Sequence, residues 1–208
     1  MLTAVLLGFA LGIRHAADPD HVAAIAALVA RHRRVGVAAR IGAAWGLGHS
    51  ATIFAVGGAL VALRIAVPPR WTLYAELAVA AILIGLGVAN LRRLLGEPAH
   101  AHAAHGLGGS GLRAFAVGIA HGLGGSAAVA LLALAAMPTT QAAVAYLGIF
   151  GIGTVGGMVA LSLGLGWPLA AAGARPAFSR WVLAGSGALS IGVGLYLAYA
   201  VGSSALAL

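Results

Sequence analysis

The sequence predicts an all-α integral membrane protein: six transmembrane helices, arranged as two inverted three-helix repeats, with the first helix of each repeat interrupted. Three observations predict it. Hydrophobic residues make up 62% of the chain and charged residues 8%, at a mean hydropathy of +1.03, whereas soluble domains carry roughly a quarter of their residues charged. Six apolar runs reach the length of about 20 residues that a bilayer crossing requires. The two halves of the 208-residue chain also repeat short motifs at a nearly constant spacing. The long Ala/Leu/Val/Gly runs lack the period-2 alternation of membrane β-strands, which argues against a barrel.

The first run covers residues 2 to 30 and holds Arg14, His15, Asp18, Asp20 and His21 in its middle. Its charges lie inside the apolar stretch instead of before it, so it is expected to be retained and not cleaved as a secretory signal. Pro19 has no N–H to offer the carbonyl of His15 and biases Asp18 away from helical geometry. Asp18 then reads as an N-cap with Pro19 at the first helical position, so the span becomes two half-helices. The second run, 37 to 63, carries Gly46-Leu-Gly48-His49-Ser50, and the third, 72 to 92, carries Glu76 near its outer end. The linker that follows, 96 to 111, contains His100, His102 and His105 and reads either as a metal-scavenging tract or as a solvated connection. The fourth run, 112 to 134, holds His121-Gly-Leu-Gly-Gly-Ser126, whose glycines read either as an interruption or as surfaces for close helix packing. Runs at 140 to 166 and 180 to 201 complete the set. The units are therefore residues 1–95, a cytoplasmic linker at 96–111, and residues 112–208.

A net charge of +8 suggests nucleic acid until the arginines are placed. Arg31, Arg33, Arg34, Arg40, Arg92, Arg93, Arg113, Arg175 and Arg180 fall in loops on one side, and only Arg64 and Arg70 on the other. By the positive-inside rule the first set is cytoplasmic and both termini lie outside, as expected for a multi-pass protein of the plasma (inner) membrane. The basic charge is a topology signal, and no nucleic-acid partner is implied.

Phe9-Ala-Leu-Gly12-Ile13-Arg-His15 aligns with Phe115-Ala-Val-Gly118-Ile119-Ala-His121, Ala44-Trp45-Gly46-Leu-Gly48-His49 with Ile149-Phe150-Gly151-Ile-Gly153-Thr154, and Ala81-Ile-Leu-Ile84-Gly85-Leu-Gly87 with Ala188-Leu-Ser-Ile191-Gly192-Val-Gly194. The offsets are 106, 105 and 107 residues. Three matches in order indicate a duplicated unit. A unit of three spans must enter the membrane from opposite sides in its two copies, which is the inverted repeat of many secondary transporters, with a substrate site near the midplane on broken helices.

Charge at membrane depth is expensive and usually functional. Two of the chain's four acidic residues lie in the first span. His15, Asp20, His21 and His49 are the stronger ligand candidates. Asp18 is a further candidate, but it also reads as the N-cap or as the i,i+4 partner of Arg14. His121 is the repeat mate of His15, and a hydrogen-bonded core histidine explains it equally well. His32, among arginines, reads as a solvated face, and Glu76 either as a proton-coupling group or as a solvated acid. Cysteine is absent, so any metal is held by imidazole, carboxylate or carbonyl groups, a donor set suited to Ni²⁺ or Co²⁺. Ligation by histidine implies that binding weakens as imidazoles protonate, around pH 6.5 for unperturbed groups.

His15-x4-Asp20-His21 resembles the HX4DH signature of the nickel/cobalt transporter family, and Leu47-Gly48-His49-Ser50 resembles its second signature. The His121-Gly-Leu-Gly-Gly-Ser-Ala segment is similar to shorter six-helix relatives of the nickel/cobalt and urease-accessory kind. The resemblance covers all six spans and implies divalent-metal selection by His15, Asp20, His21 and His49. Pro19 departs from the larger members, which commonly carry Ala there, and their extra helices are missing. The expected function is uptake of Ni²⁺ or Co²⁺ by alternating access, with the ion as substrate, the lipid bilayer as the other partner and no cofactor. Nothing resembles a phosphate-binding Walker A loop. Efflux of the same ions is the alternative, with the His-rich loop presenting metal from the cytoplasmic side. A membrane acyltransferase using His15 as base and Asp20 to orient it is an alternative of another class, and a haem bundle built on paired histidines a further one.

Overall fold

A computed structural model describes residues 2–63, 68–96, 107–137, 139–171 and 176–205, and every element in them is helical. The order is α1 (Leu2–Ala16), α2 (Pro19–Val29), α3 (Val35–Thr52), a π-helical turn (Ile53–Gly57), α4 (Gly58–Leu63), α5 (Pro69–Leu94), α6 (Leu107–Ala136), α7 (Thr140–Ala171) and α8 (Pro176–Ala205). Four helical runs, Val35–Leu63, Arg70–Leu94, Thr140–Ala171 and Ala177–Ser204, are long and apolar enough to cross a membrane, and α1 and α2 contribute the shorter apolar helices Val5–Ala16 and Pro19–Val29. This is the composition of a helical membrane protein.

The break in the first span falls where proline demands it. The N–H groups of Ala17 and Asp18 turn back to Arg14 and His15 at 2.9 and 3.1 Å, and α1 stops. Asp18 is extended (φ −61°, ψ 145°), and its carbonyl accepts the first bond of α2 from Val22 at 3.0 Å. Asp18 therefore occupies the N-cap position with Pro19 opening the helix, although its side chain makes no capping bond. The corresponding break expected in the fourth span is absent: α6 is one continuous helix through residues 121–126. The glycines there serve packing. A Cβ on Gly122 would crowd the carbonyl of His49 and the side chain of Thr52, and without a proline the helical hydrogen-bond ladder has no reason to open. α6 begins at Leu107, inside the stretch expected as linker. His100, His102 and His105 lie outside the described residues.

Helices meet at glycines, and three of these close crossings recur with the halves of the sequence exchanged. Gly12 of α1 sits where a side chain would strike the carbonyl of Phe150 and the N–H of Thr154 on α7; Gly118 of α6 sits in the same way on Trp45 and His49 of α3. Gly48 meets Phe115 as Gly153 meets Phe9, and Gly87 meets Gly187 and Ile191 as Gly194 meets Ala80 and Ile84. These are the aligned positions of the two half-sequences. Bulk is excluded where backbones touch, as membrane helices favour.

Around these crossings the core is filled by Trp45, Ile25, Ile41, Leu83 and Met158, with a second cluster around Ile53 and Leu147. α2 is held at its C-terminal end by buried Asn90 of α5, which donates to the Ala27 carbonyl at 3.0 Å and to Ser186 of α8 at 3.1 Å, and accepts from the Nε of Arg31 at 2.6 Å. In the same loop, burial followed by the charges of Arg93 and Arg113 pushes the Arg31 guanidinium down to about 10. Burial, with Arg31 and Arg93 beside it, also lowers His32, which is half-buried and not the solvated side chain expected.

Candidate metal centre

The break at Asp18-Pro19 ends α1 at mid-span and starts α2 there, so His15 closes one half-helix while Asp20 and His21 open the next. His49 arrives from the interior of α3 and His121 from that of α6, both buried. The crossings at Gly48 and Gly118 bring those two helices close enough for their imidazoles to share one space, with ring centroids 5.9 Å apart. The expected ligand candidates from three segments of the sequence thus meet in one cluster.

Three nitrogens converge. The Nε2 of His49 lies 3.1 Å from that of His15 and 3.4 Å from that of His21. Donor nitrogens bound to one ion at about 2.1 Å stand about 3.0 Å apart at right angles and about 3.4 Å apart at a tetrahedral angle. Both distances from His49 therefore have the spacing of neighbouring ligands on one ion. The far nitrogens are engaged: Nδ1 of His15 donates to Asp18 at 2.8 Å and Nδ1 of His21 donates to Asp20 at 3.0 Å. A carboxylate on Nδ1 fixes the proton there and leaves Nε2 as a bare, more basic lone pair. Two bare Nε2 atoms then face a third, while the buried Nδ1 of His49 has no partner. One proton on His49 Nε2 satisfies at most one of these two contacts, whereas a cation between the nitrogens satisfies both.

Asp20 faces two ways. Its second oxygen accepts from the Nε2 of His121 at 2.8 Å, so a second potential donor set, Asp20, His21 and His121, shares His21 with the first. His121 stands behind Asp20 instead of joining the three nitrogens. Asp18 goes to His15 and not to Arg14, which forms no ion pair among the described residues. Its side chain is 47% exposed, so it remains open to the space beyond the histidines.

Aromatic rings enclose the cluster. Trp45 packs edge-on against His21 and His121 at 5.3 and 5.4 Å, and Phe150 lies 5.3 Å from His15. Sequence reasoning missed both as site residues. A signal was present: they are repeat mates, and Trp45 precedes His49 by one helical turn. On the open side a cavity of about 270 Å³ runs from the histidines to Glu76 of α5 and to Leu197, Val201 and Ser204 of α8. Its lining from α5 and α8, Glu76 and Val79 with Leu197 to Ser204, comes from the first half of α5 and the last turns of α8.

Comparison with known proteins bears out the resemblance read from the motifs. Residues 1–91, which carry His15, Asp18, Asp20, His21 and His49, match the family described as high-affinity nickel-transport protein, NicO. The chain is 28% identical to the urease accessory protein UreH of Bacillus sp. (strain TB-90), over 97% of this chain and 93% of the relative. No solved structure matches. The family matched over residues 1–91 is described as one of transport proteins, which favours the transport reading over the acyltransferase one.

Proposed function

We propose that this protein carries Ni²⁺ or Co²⁺ across the plasma membrane, most directly as an uptake permease, with the ion bound at mid-membrane by the Nε2 atoms of His15, His21 and His49. The observation that carries this reading is the convergence of three imidazole nitrogens, two of them held by carboxylates on the opposite ring atom. Asp18 and Asp20 orient the ligands and offset the charge of the incoming cation. His121, on the far oxygen of Asp20, keeps that carboxylate turned toward His21.

Alternating access is supported by the reciprocal glycine crossings. A unit of three helices whose contacts recur with the halves exchanged is what two inverted repeats would produce, and rocking of one against the other would expose a midplane site to each side in turn. The cavity reaches the histidines from the arginine-poor end, which the positive-inside rule makes external. Entry from that side would follow an inside-negative potential, by about 2.3 kcal/mol per charge per 100 mV.

Accumulation of Ni²⁺ and Co²⁺ in cells with and without the protein, and equilibrium binding to the purified protein, test the reading. Higher accumulation with the wild type, abolished in His49→Ala, is expected. Lower accumulation would reverse the direction to efflux, and undiminished binding by His49→Ala would remove the site.

A further inference from the structure

The cavity holds a carboxylate for which the three-nitrogen site has no use. Glu76 lies in the first half of α5, half-buried, and lines the same space as Asp18 and the histidines. Its position along the path follows from the packing. Val79, three residues on and therefore on the same face of α5, touches the position of Gly124 on α6, which is in turn three residues beyond His121. Glu76 stands one further helical turn, about 5 Å, toward the mouth.

We propose that Glu76 and the cavity between α5 and α8 form a capture site for the hydrated divalent cation, outside the histidine cluster and upstream of it; this rests on the metal-transport reading. The chemistry of the two ends differs in the way such a relay requires. The imidazole lone pairs bind a stripped cation, and the carboxylates beside them, Asp18 and Asp20, are engaged in hydrogen bonds with the histidines. A carboxylate attracts the cation over several ångströms and holds it through its waters. At about 30 Å³ per water, the whole cavity of 270 Å³, histidine end included, has room for a cation that keeps waters of its inner shell. Its apolar walls, Val79, Leu197 and Val201, lower the dielectric and focus the field of the acid. Among the described residues no arginine lines it. Asp18, half exposed and bonded to His15 through one oxygen, is the next carboxylate inward, placed where the ion exchanges water for imidazole.

Stopped-flow association of Ni²⁺ with the purified, detergent-solubilised protein tests this. At low ionic strength Glu76→Gln should bind about three- to tenfold more slowly than the wild type, at or below the lower end of what electrostatic steering by a whole charged cleft commands, as fits the loss of one charge. The gap should close as salt shortens the Debye length from about 10 Å at 0.1 M to about 3 Å at 1 M. The amount bound at saturation should be unchanged in Glu76→Gln and lost in His49→Ala. Ser204→Lys, which adds a cation across the cavity without touching Glu76, should slow association in the same salt-dependent way. Wild-type rates in both variants, or a slowing that salt leaves unaltered, would overturn the capture site while leaving the histidine site intact. Failure of the wild type itself to bind Ni²⁺ or Co²⁺ would overturn the transport reading and this one with it.

Discussion

Asp18 carries the most specific residue-level consequence. Its oxygen on the Nδ1 of His15 does two things, setting the tautomer and raising the basicity of the nitrogen that faces His49. Asp18→Asn preserves the size of the side chain and removes the charge, so it should weaken Ni²⁺ affinity about 10- to 100-fold, the usual effect of losing a partner behind a ligating histidine. His15→Ala should cost more, because the donor itself is gone. Competition against a chromogenic chelator measures both, and equal affinities in Asp18→Asn and the wild type would show that this bond has no influence on the metal. His15, Asp20, His21 and His49 are legible in the sequence because polar groups in apolar runs stand out. The partnership of Asp18 is not, since Arg14, the N-cap position and a metal all compete for it along the chain. Trp45 is hidden for the opposite reason: a buried aromatic residue in an apolar helix has no contrast with its surroundings.

At the scale of elements, the consequences concern breaks and crossings. Pro19 announces its break locally, through a missing N–H and a restricted neighbour. The glycines of α6 announce nothing comparable, because glycine permits both a bend and a close contact, and only the neighbouring helix decides which is used. Gly12 and Gly118 occupy equivalent crossings, so Gly12→Val and Gly118→Val should each destabilise the protein by about 1–3 kcal/mol, the usual cost of overpacking. Gly85→Ala, at a position with nothing within 4 Å, should stay within about 0.5 kcal/mol of the wild type. Thermal unfolding in detergent compares the three. A Gly12→Val variant as stable as Gly85→Ala would show that the α1–α7 crossing is looser than its geometry indicates.

For the whole molecule, the topology itself is open to test, and the absence of cysteine provides a clean background. Ser203→Cys, at the exposed end of α8, should be labelled in intact cells by a membrane-impermeant maleimide, while Arg33→Cys, in the arginine-rich loop, should be labelled only after permeabilisation. The opposite pattern would invert the protein and place the cavity mouth in the cytoplasm. The sequence by itself determined where the apolar helices run, that the first is broken at Asp18-Pro19, and which imidazoles and carboxylates belong to the polar cluster. These follow from composition, local backbone chemistry and the contrast of polar side chains with the apolar runs that carry them. Only the tertiary structure decided that α6 continues unbroken, that His121 answers Asp20 instead of joining His15, His21 and His49, and that Glu76 shares their cavity. Those outcomes depend on how helices far apart in the chain cross, and the crossings are set by backbone contacts at glycines whose partners lie about a hundred residues away.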